Sequence, residues 1–357
     1  MTRQSAARPV SQRLSTPPYA DFGADEGLVP IVPAGEGLSS GRWEELRARF
    51  RSLWDGVLGQ AELAPFDRAP QVVRRFRLPE GDAVEVLLPT TATSKQRVLL
   101  MVPRGRGGER LPGAVVPFYN PDRMAGFNLD TGEPTGDAPS VHFGRHLVQL
   151  GFVVVCGQAF PFNTVADPGT GAPFAHWHAA AAKLREEYPR WTGMARLVHD
   201  TRIALDFLLD QPRIDPERIL VMGHSLGGKM AFYTGCLDAR VKAIIASDFG
   251  MAFASTNWDA PWYLGPQIHG ADFPVAHHQL LALAAPTPFL ILAGECDGPR
   301  SWQYLDAARP VYELYGRGDA LAILDHASGH RPPAKAVRTA YQWLGEQFGL
   351  SLGDCTI

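Results

Sequence analysis

An α/β architecture, with a mostly parallel central sheet and helices on both faces, is predicted by three observations. Nine short β-rich runs recur along the chain. Several are apolar throughout, as strands covered on both faces must be. From residue 113 onward, helix-like stretches separate them, and that alternation calls for parallel strands joined by crossover helices.

Residues 1–40 are rich in Pro, Gly, Ser and Ala and predict a flexible or extended N-terminal segment. Over 41–70, Trp43, Leu46, Phe50, Leu53, Trp54, Val57 and Leu58 recur at three-and-four spacing, so one apolar face of a helix packs on the body. The main domain is expected over 71–350. Its first runs, QVVRRFRL and AVEVLLP, have no helix between them and predict an antiparallel edge. RVLLMVP, GAVVPFYN, GFVVVCGQAF, RILVMGHS, VKAIIASDFG, PFLILAGECD and LAILDHASGH follow. The helical stretches among them are PSVHFGRHLVQL, MARLVHDTRIALDFLLD, LGGKMAFYTGCL, RSWQYLDAARPVYELY and AKAVRTAYQWLGEQF. Two insertions, near 121–140 and 251–280, fit neither period and are long enough to be functional loops.

The composition bounds the function. A chain of 357 residues, 45% hydrophobic and 20% charged, has material for a large core. A net charge of -3 offers no general attraction to nucleic acid or to an anionic membrane. The start MTRQSAAR is not followed by the apolar stretch of a secretory signal, and no run approaches a membrane span, so a cytoplasmic protein is expected. Cys156, Cys236, Cys296 and Cys355 lie far apart with no CxxC pair, which argues against a disulfide framework or a zinc site.

The chemistry centres on Gly223-His224-Ser225-Leu226-Gly227. A GxSxG pattern alone matches by chance, but here a strand, RILVMGHS, runs into it and a helix, LGGKMAFYTGCL, leaves it. That is the strand-turn-helix that presents a nucleophilic serine at the carboxyl edge of a sheet. The bland alternative is that Ser225 only caps the helix. The strand, turn and helix agree on the first reading.

With these residues in view, the chain resembles the α/β-hydrolase superfamily over about residues 80–350. GAVVPFYNPDRMAG, GHSLGG, LAGECDGPRSW and DHASGHRPP look most like acetyl xylan esterases and dienelactone-hydrolase-like esterases. The resemblance implies an α/β-hydrolase fold and a serine carboxylic-ester hydrolase. It also implies a general base after the last strand, where His330 is preferred over His326. The acid follows the strand before the last. That favours Asp297, with Glu295 and with Asp248, after VKAIIAS, as alternatives.

The oxyanion hole is expected from the backbone N–H of Leu226 and from Tyr119, because Phe118-Tyr119-Asn120 looks like the Gly-Tyr-Asn turn of acetyl xylan and cephalosporin deacetylases. In the second insertion, Asn257, Trp258, Trp262 and Tyr263 are candidates for the pocket wall, or simply pack the insertion down. His176 and His178, two apart, do not share a helix face and are not expected to hold a metal. No cofactor is expected, since serine, histidine and carboxylate close the proton cycle. GHSLGG lacks the spacing of a phosphate loop despite Lys229.

The expected partner is a small-molecule ester, with an acetyl-like acyl group on a sugar or other alcohol, with nucleic acid and membrane excluded and the oligomeric state open. An acyltransferase or peptidase would use the same triad, and a non-catalytic binding protein would normally lack part of it.

Overall fold

The computed structural model describes residues 8–33, 35–105 and 108–357. The first seven residues of the predicted N-terminal segment lie outside them. The strands are β1 (Gln71–Arg77), β2 (Gly81–Pro89), β3 (Lys95–Pro103), β4 (Leu111–Phe118), β5 (Val153–Gln158), β6 (Ile214–His224), β7 (Ala243–Ser247), β8 (Phe289–Ala293) and β9 (Leu321–Asp325). The helices are α1 (Val10–Leu14), α2 (Ser40–Leu58), α3 (Pro121–Ala125), α4 (Phe143–Gln149), α5 (Ala175–Glu187), α6 (Gly193–Leu209), α7 (Leu226–Leu237), α8 (His277–Ala284), α9 (Ser301–Leu314) and α10 (Ala334–Phe348).

All nine strands form one sheet in the order β1-β2-β3-β5-β4-β6-β7-β8-β9. The antiparallel part is larger than the sequence suggested: β1, β2, β3 and β5 pair antiparallel in turn, and pairing is parallel from β5 to β9. The parallel strands β7 and β8 are buried at every residue. Their alternate side chains serve two cores. Ile244, Ala246, Phe289 and Ile291 pack with α6, α7 and α9 on one face. Ala243, Ile245, Leu290 and Leu292 pack with α4 and α10 on the other. A one-residue slip in any of these strands would exchange the two sets, so the register is strongly specified.

The N-terminal helix α2 is capped by Ser39, whose side chain accepts from the Arg42 N–H. Trp43, Leu46, Phe50, Trp54, Val57 and Leu58 form its buried face. Trp54 meets Tyr233 edge-on at 5.6 Å and stacks on His277 at 5.9 Å. Truncating an aromatic so placed costs about 3–5 kcal/mol, so α2 is part of the core. Among the described residues before it, α1 is the only regular element, the rest being turns, bends and irregular chain, and the segment is tied down. The Glu346 carboxylate accepts from the N–H groups of Val10 and Ser11, and His278 Nε2 is 2.8 Å from the Val29 carbonyl. Among the described residues, no helix is long and apolar enough to cross a membrane.

Two helices fall where the sequence was read differently. The second insertion ends in α8, whose residues are all buried. Histidine pairs and alanines hid its period. The aromatic stretch at 173–184 forms most of α5, which opens at Phe174 with φ 57°.

Candidate active site

Because β4, β6, β7, β8 and β9 are parallel neighbours, their carboxyl ends share one edge of the sheet, and the turns after them carry Tyr119, Ser225, Asp248, Asp297 and His330. Ser225 joins β6 to α7 with φ 55° and ψ −115°, a conformation costing about 1–3 kcal/mol for a residue with a side chain. The surroundings hold it there. Its N–H donates to the Ser247 carbonyl at 2.8 Å, and its carbonyl accepts from the Lys229 N–H at 3.0 Å. The flanking glycines are sterically required. A Cβ on Gly223 would lie 2.2 Å from the Gly227 carbonyl, and one on Gly227 would lie 2.2 Å from the Pro117 oxygen. That second approach draws the start of α7 against the end of β4, so Leu226 and Tyr119 come from adjoining backbone.

The His330 imidazole meets Asp248, with Nδ1 2.6 Å from Oδ2. The structure thus places His330 against Asp248, one of the alternatives, and not against Asp297, the acid the sequence favoured. The reason is visible in what each carboxylate holds. Asp248 accepts from the backbone N–H groups of Gly294, Cys296 and Asp297 through Oδ1 and of Glu295 through Oδ2. Asp297 accepts from Phe249 and Gly250 through Oδ2, and from Met251 and the Ser301 hydroxyl through Oδ1. Each carboxylate ties the turn that carries the other. Each carboxylate accepts four such donors, but on Asp297 they fall two to each oxygen and fill both, whereas three of those on Asp248 fall on Oδ1 and leave room on Oδ2 for His330. Glu295 is exposed. His326 turns into its own loop, with Nδ1 2.9 Å from the Ser328 hydroxyl.

Electrostatics follow from these contacts. The His330 pKa is raised to about 9, first by the hydrogen bond to Asp248 and then by the Cys296 thiol beside it. Burial pushes Asp248 up, but the His330 contact and the backbone donors outweigh it and hold the carboxyl below its usual range. Asp297 goes the other way, raised by complete burial. His224, whose ring centre is 4.6 Å from that of His330, is pushed down to about 3 by burial and then by the positive charge on its neighbour. It stays neutral and leaves a single titrating imidazole at the site.

Ser225, Asp248 and His330 open into one cavity of about 170 Å³. Asn257, Trp262 and Tyr263 line it, as does the ring-packed Tyr119. Trp258 does not, which corrects its expected place in the wall. It is fully buried, donates its indole N–H to the Gly250 carbonyl at 2.8 Å, and lies beneath the Lys229 ammonium at 3.6 Å. Sequence reasoning passed over Lys229 as a lining group, along with Phe174, Trp177, Thr256 and Cys296. Lys229 donates to the Thr256 hydroxyl at 2.9 Å, and burial lowers its pKa to about 7 despite the attraction of Asp297. The signal for it was a lysine inside the otherwise apolar helix LGGKMAFYTGCL, every residue of which is buried.

His176 and His178 do not converge. His176 Nε2 lies 2.7 Å from the Val165 carbonyl, while His178 packs edge-on against Trp262.

Residues 138–297 match the model of the dienelactone hydrolase family. The uncharacterized protein YfhR of Salmonella typhimurium is 30% identical over 249 residues, which cover 57% of this chain and 79% of YfhR. Carbohydrate esterase MZ0003, from an unknown prokaryotic organism, is 26% identical over 202 residues, covering 49% of this chain and 46% of that protein. The chain thus spans about half the length of some of the curated relatives it matches. Among solved structures, a glucuronoyl esterase from Solibacter usitatus superposes with a TM-score of 0.69 at 16% identity, covering 91% of this chain and 98% of that one, a likeness of fold.

Proposed function

The chain belongs among the α/β-hydrolases through its dienelactone hydrolase family domain, and from that premise we propose that it is a serine carboxylic-ester hydrolase working through an acyl-enzyme on Ser225. The observation that carries this reading is the 2.6 Å contact of His330 with Asp248 in the cavity that also holds the elbow serine. With Nδ1 committed to Asp248, Nε2 is the ring nitrogen left to take the serine proton. Ser225 Oγ then attacks the ester carbonyl, and Asp248 stabilises the imidazolium that forms. The oxyanion is received by the backbone N–H groups of Leu226 and Tyr119. His330 returns its proton to the departing alkoxide. In the second half it takes a proton from water, which attacks the acyl group, frees the acid and restores Ser225.

The cavity's size supports a small group such as acetyl next to the serine. Its aromatic walls, with Lys229, Thr256 and Asn257 among them, suit a ring bearing hydroxyls, so an ester of a sugar or similar alcohol is the substrate class we favour. MZ0003's description as a carbohydrate esterase supports the same class. Water is the proposed acceptor. Added methanol diverting most of the acyl group to methyl ester would instead favour transfer.

Two results follow. His330 is a base only when neutral, and its pKa near 9 means that kcat/KM for p-nitrophenyl acetate rises with pH through about 9 and then levels. A folded protein with no turnover of any short ester across that range rejects the reading. Lys229→Met keeps the buried stem and removes the donor, which is neutral at the pH where His330 is a base. An uncharged hydrogen bond of about 0.5–1.5 kcal/mol corresponds to a loss of roughly 2- to 12-fold in kcat/KM on an acetylated sugar, with p-nitrophenyl acetate little affected. Equal losses on both substrates would remove Lys229 from sugar binding.

A further inference from the structure

Ester hydrolysis accounts for Ser225, His330 and Asp248 but leaves one nucleophilic side chain of the same cavity unused. Cys296, in the turn after β8, is half-buried and lines the cavity, whereas Cys156 and Cys236 are buried elsewhere. One donor atom from each of Asp248, Cys296 and His330 can be chosen so that all lie within 4.8 Å of one another. These donors come from three separate turns, after β7, β8 and β9, so they converge from different sides.

We infer that Asp248, Cys296 and His330 form an inhibitory site for a borderline-soft divalent cation of the zinc class. A sulfur, an imidazole nitrogen and a carboxylate oxygen are the donor set such ions take, and calcium or magnesium would not select it. Three protein ligands on one side and an open cavity on the other leave a fourth position for water. Zinc–donor distances of about 2.0–2.3 Å place tetrahedral donors roughly 3.3–3.8 Å apart. The thiol therefore closes in, while the His330–Asp248 pair opens from 2.6 Å.

Asp248 is pre-organised for this, since backbone N–H groups hold its carboxylate whether a proton or a metal ion faces it. Below pH 9 binding releases the thiol proton and the Nδ1 proton of the His330 imidazolium, while Nε2 keeps its own; from the neutral imidazole the Nδ1 proton passes to Nε2 instead. An imidazole held by the cation through Nδ1 then carries its proton on Nε2 and cannot take the proton of Ser225. Inhibition rests on the reading of His330 as the base; cation binding itself does not.

The experiment keeps the two apart, using untagged full-length protein. Co²⁺ added to the Ser225→Ala variant is expected to bind one to one, with a near-ultraviolet thiolate-to-cobalt band and visible bands of tetrahedral intensity. Cys296→Ser in the same background loses the thiolate band. In the active protein, micromolar Zn²⁺ inhibits ester turnover and a chelator restores it. Cys296→Ser, measured against its own metal-free rate, then needs at least tenfold more Zn²⁺ for the same inhibition. Should Cys296→Ser fold poorly, judged by circular dichroism, Cys296→Ala is read in its place. Absence of the thiolate band from the Ser225→Ala protein overturns the site. So does inhibition that is the same with and without Cys296. A protein that shows the band but hydrolyses no ester would retain the site and refute the hydrolase reading.

Discussion

Replacing Ser225 with alanine is expected to lower kcat/KM toward a short ester by about 10⁴- to 10⁶-fold, the scale seen when a triad nucleophile is lost. The residual rate comes from the oxyanion donors and from binding. The variant should remain folded. The Ser225 side chain makes no capping hydrogen bond to α7, and the backbone bonds that fix the elbow, to Ser247 and from Lys229, do not involve the hydroxyl. Alanine also meets the same cost at φ 55° that serine does. Kinetics together with a thermal melt check this. A melting temperature within a few degrees of the parent's, with unchanged turnover, would dismiss Ser225 as the nucleophile.

Asp248→Asn is the second large effect. The asparagine amide can donate to His330 Nδ1, which fixes the opposite tautomer and puts the proton on the nitrogen that must accept one. In a serine triad that exchange costs about 10⁴ in kcat. The same change removes the negative charge that raises His330, so the pH limb near 9 should move down toward the ordinary histidine range. Asp297→Asn is the matched comparison. Its carboxylate holds Phe249, Gly250, Met251 and Ser301 rather than an imidazole. It is expected to lower the melting temperature while the folded enzyme keeps its pH limb. Steady-state rates across pH for the two variants decide between them, and the reverse pattern would return the acid to Asp297.

That pair also shows where the sequence was legible and where it was not. The order of strands and helices could be read because buried parallel strands are apolar at every position, as β7 and β8 are. The elbow was legible because strand, glycines and helix all agree around Ser225. An aspartate follows each of β7 and β8, however, and nothing local separates them. The difference lies in which carboxylate faces the loop after β9. That depends on the φ of 44° at Asp248 and on a Gly294 so crowded that a Cβ would lie 2.2 Å from the Gly329 carbonyl. Both are facts of packing between distant segments. Trp258 was misplaced for a related reason: an aromatic in an irregular insertion can wall a cavity or support what does, and here it lies under Lys229. Lys229 was visible as a charge in an apolar helix, but its direction became clear only with Thr256 and Trp258 around it.

Covalent capture of the serine tests the central claim most directly. Treatment with a fluorophosphonate and intact-mass measurement should add a single phosphonyl group to the parent protein, with the adduct mapping to Ser225 after digestion, and none to Ser225→Ala. A parent protein that takes up no label, or an adduct that persists undiminished in Ser225→Ala, would contradict it.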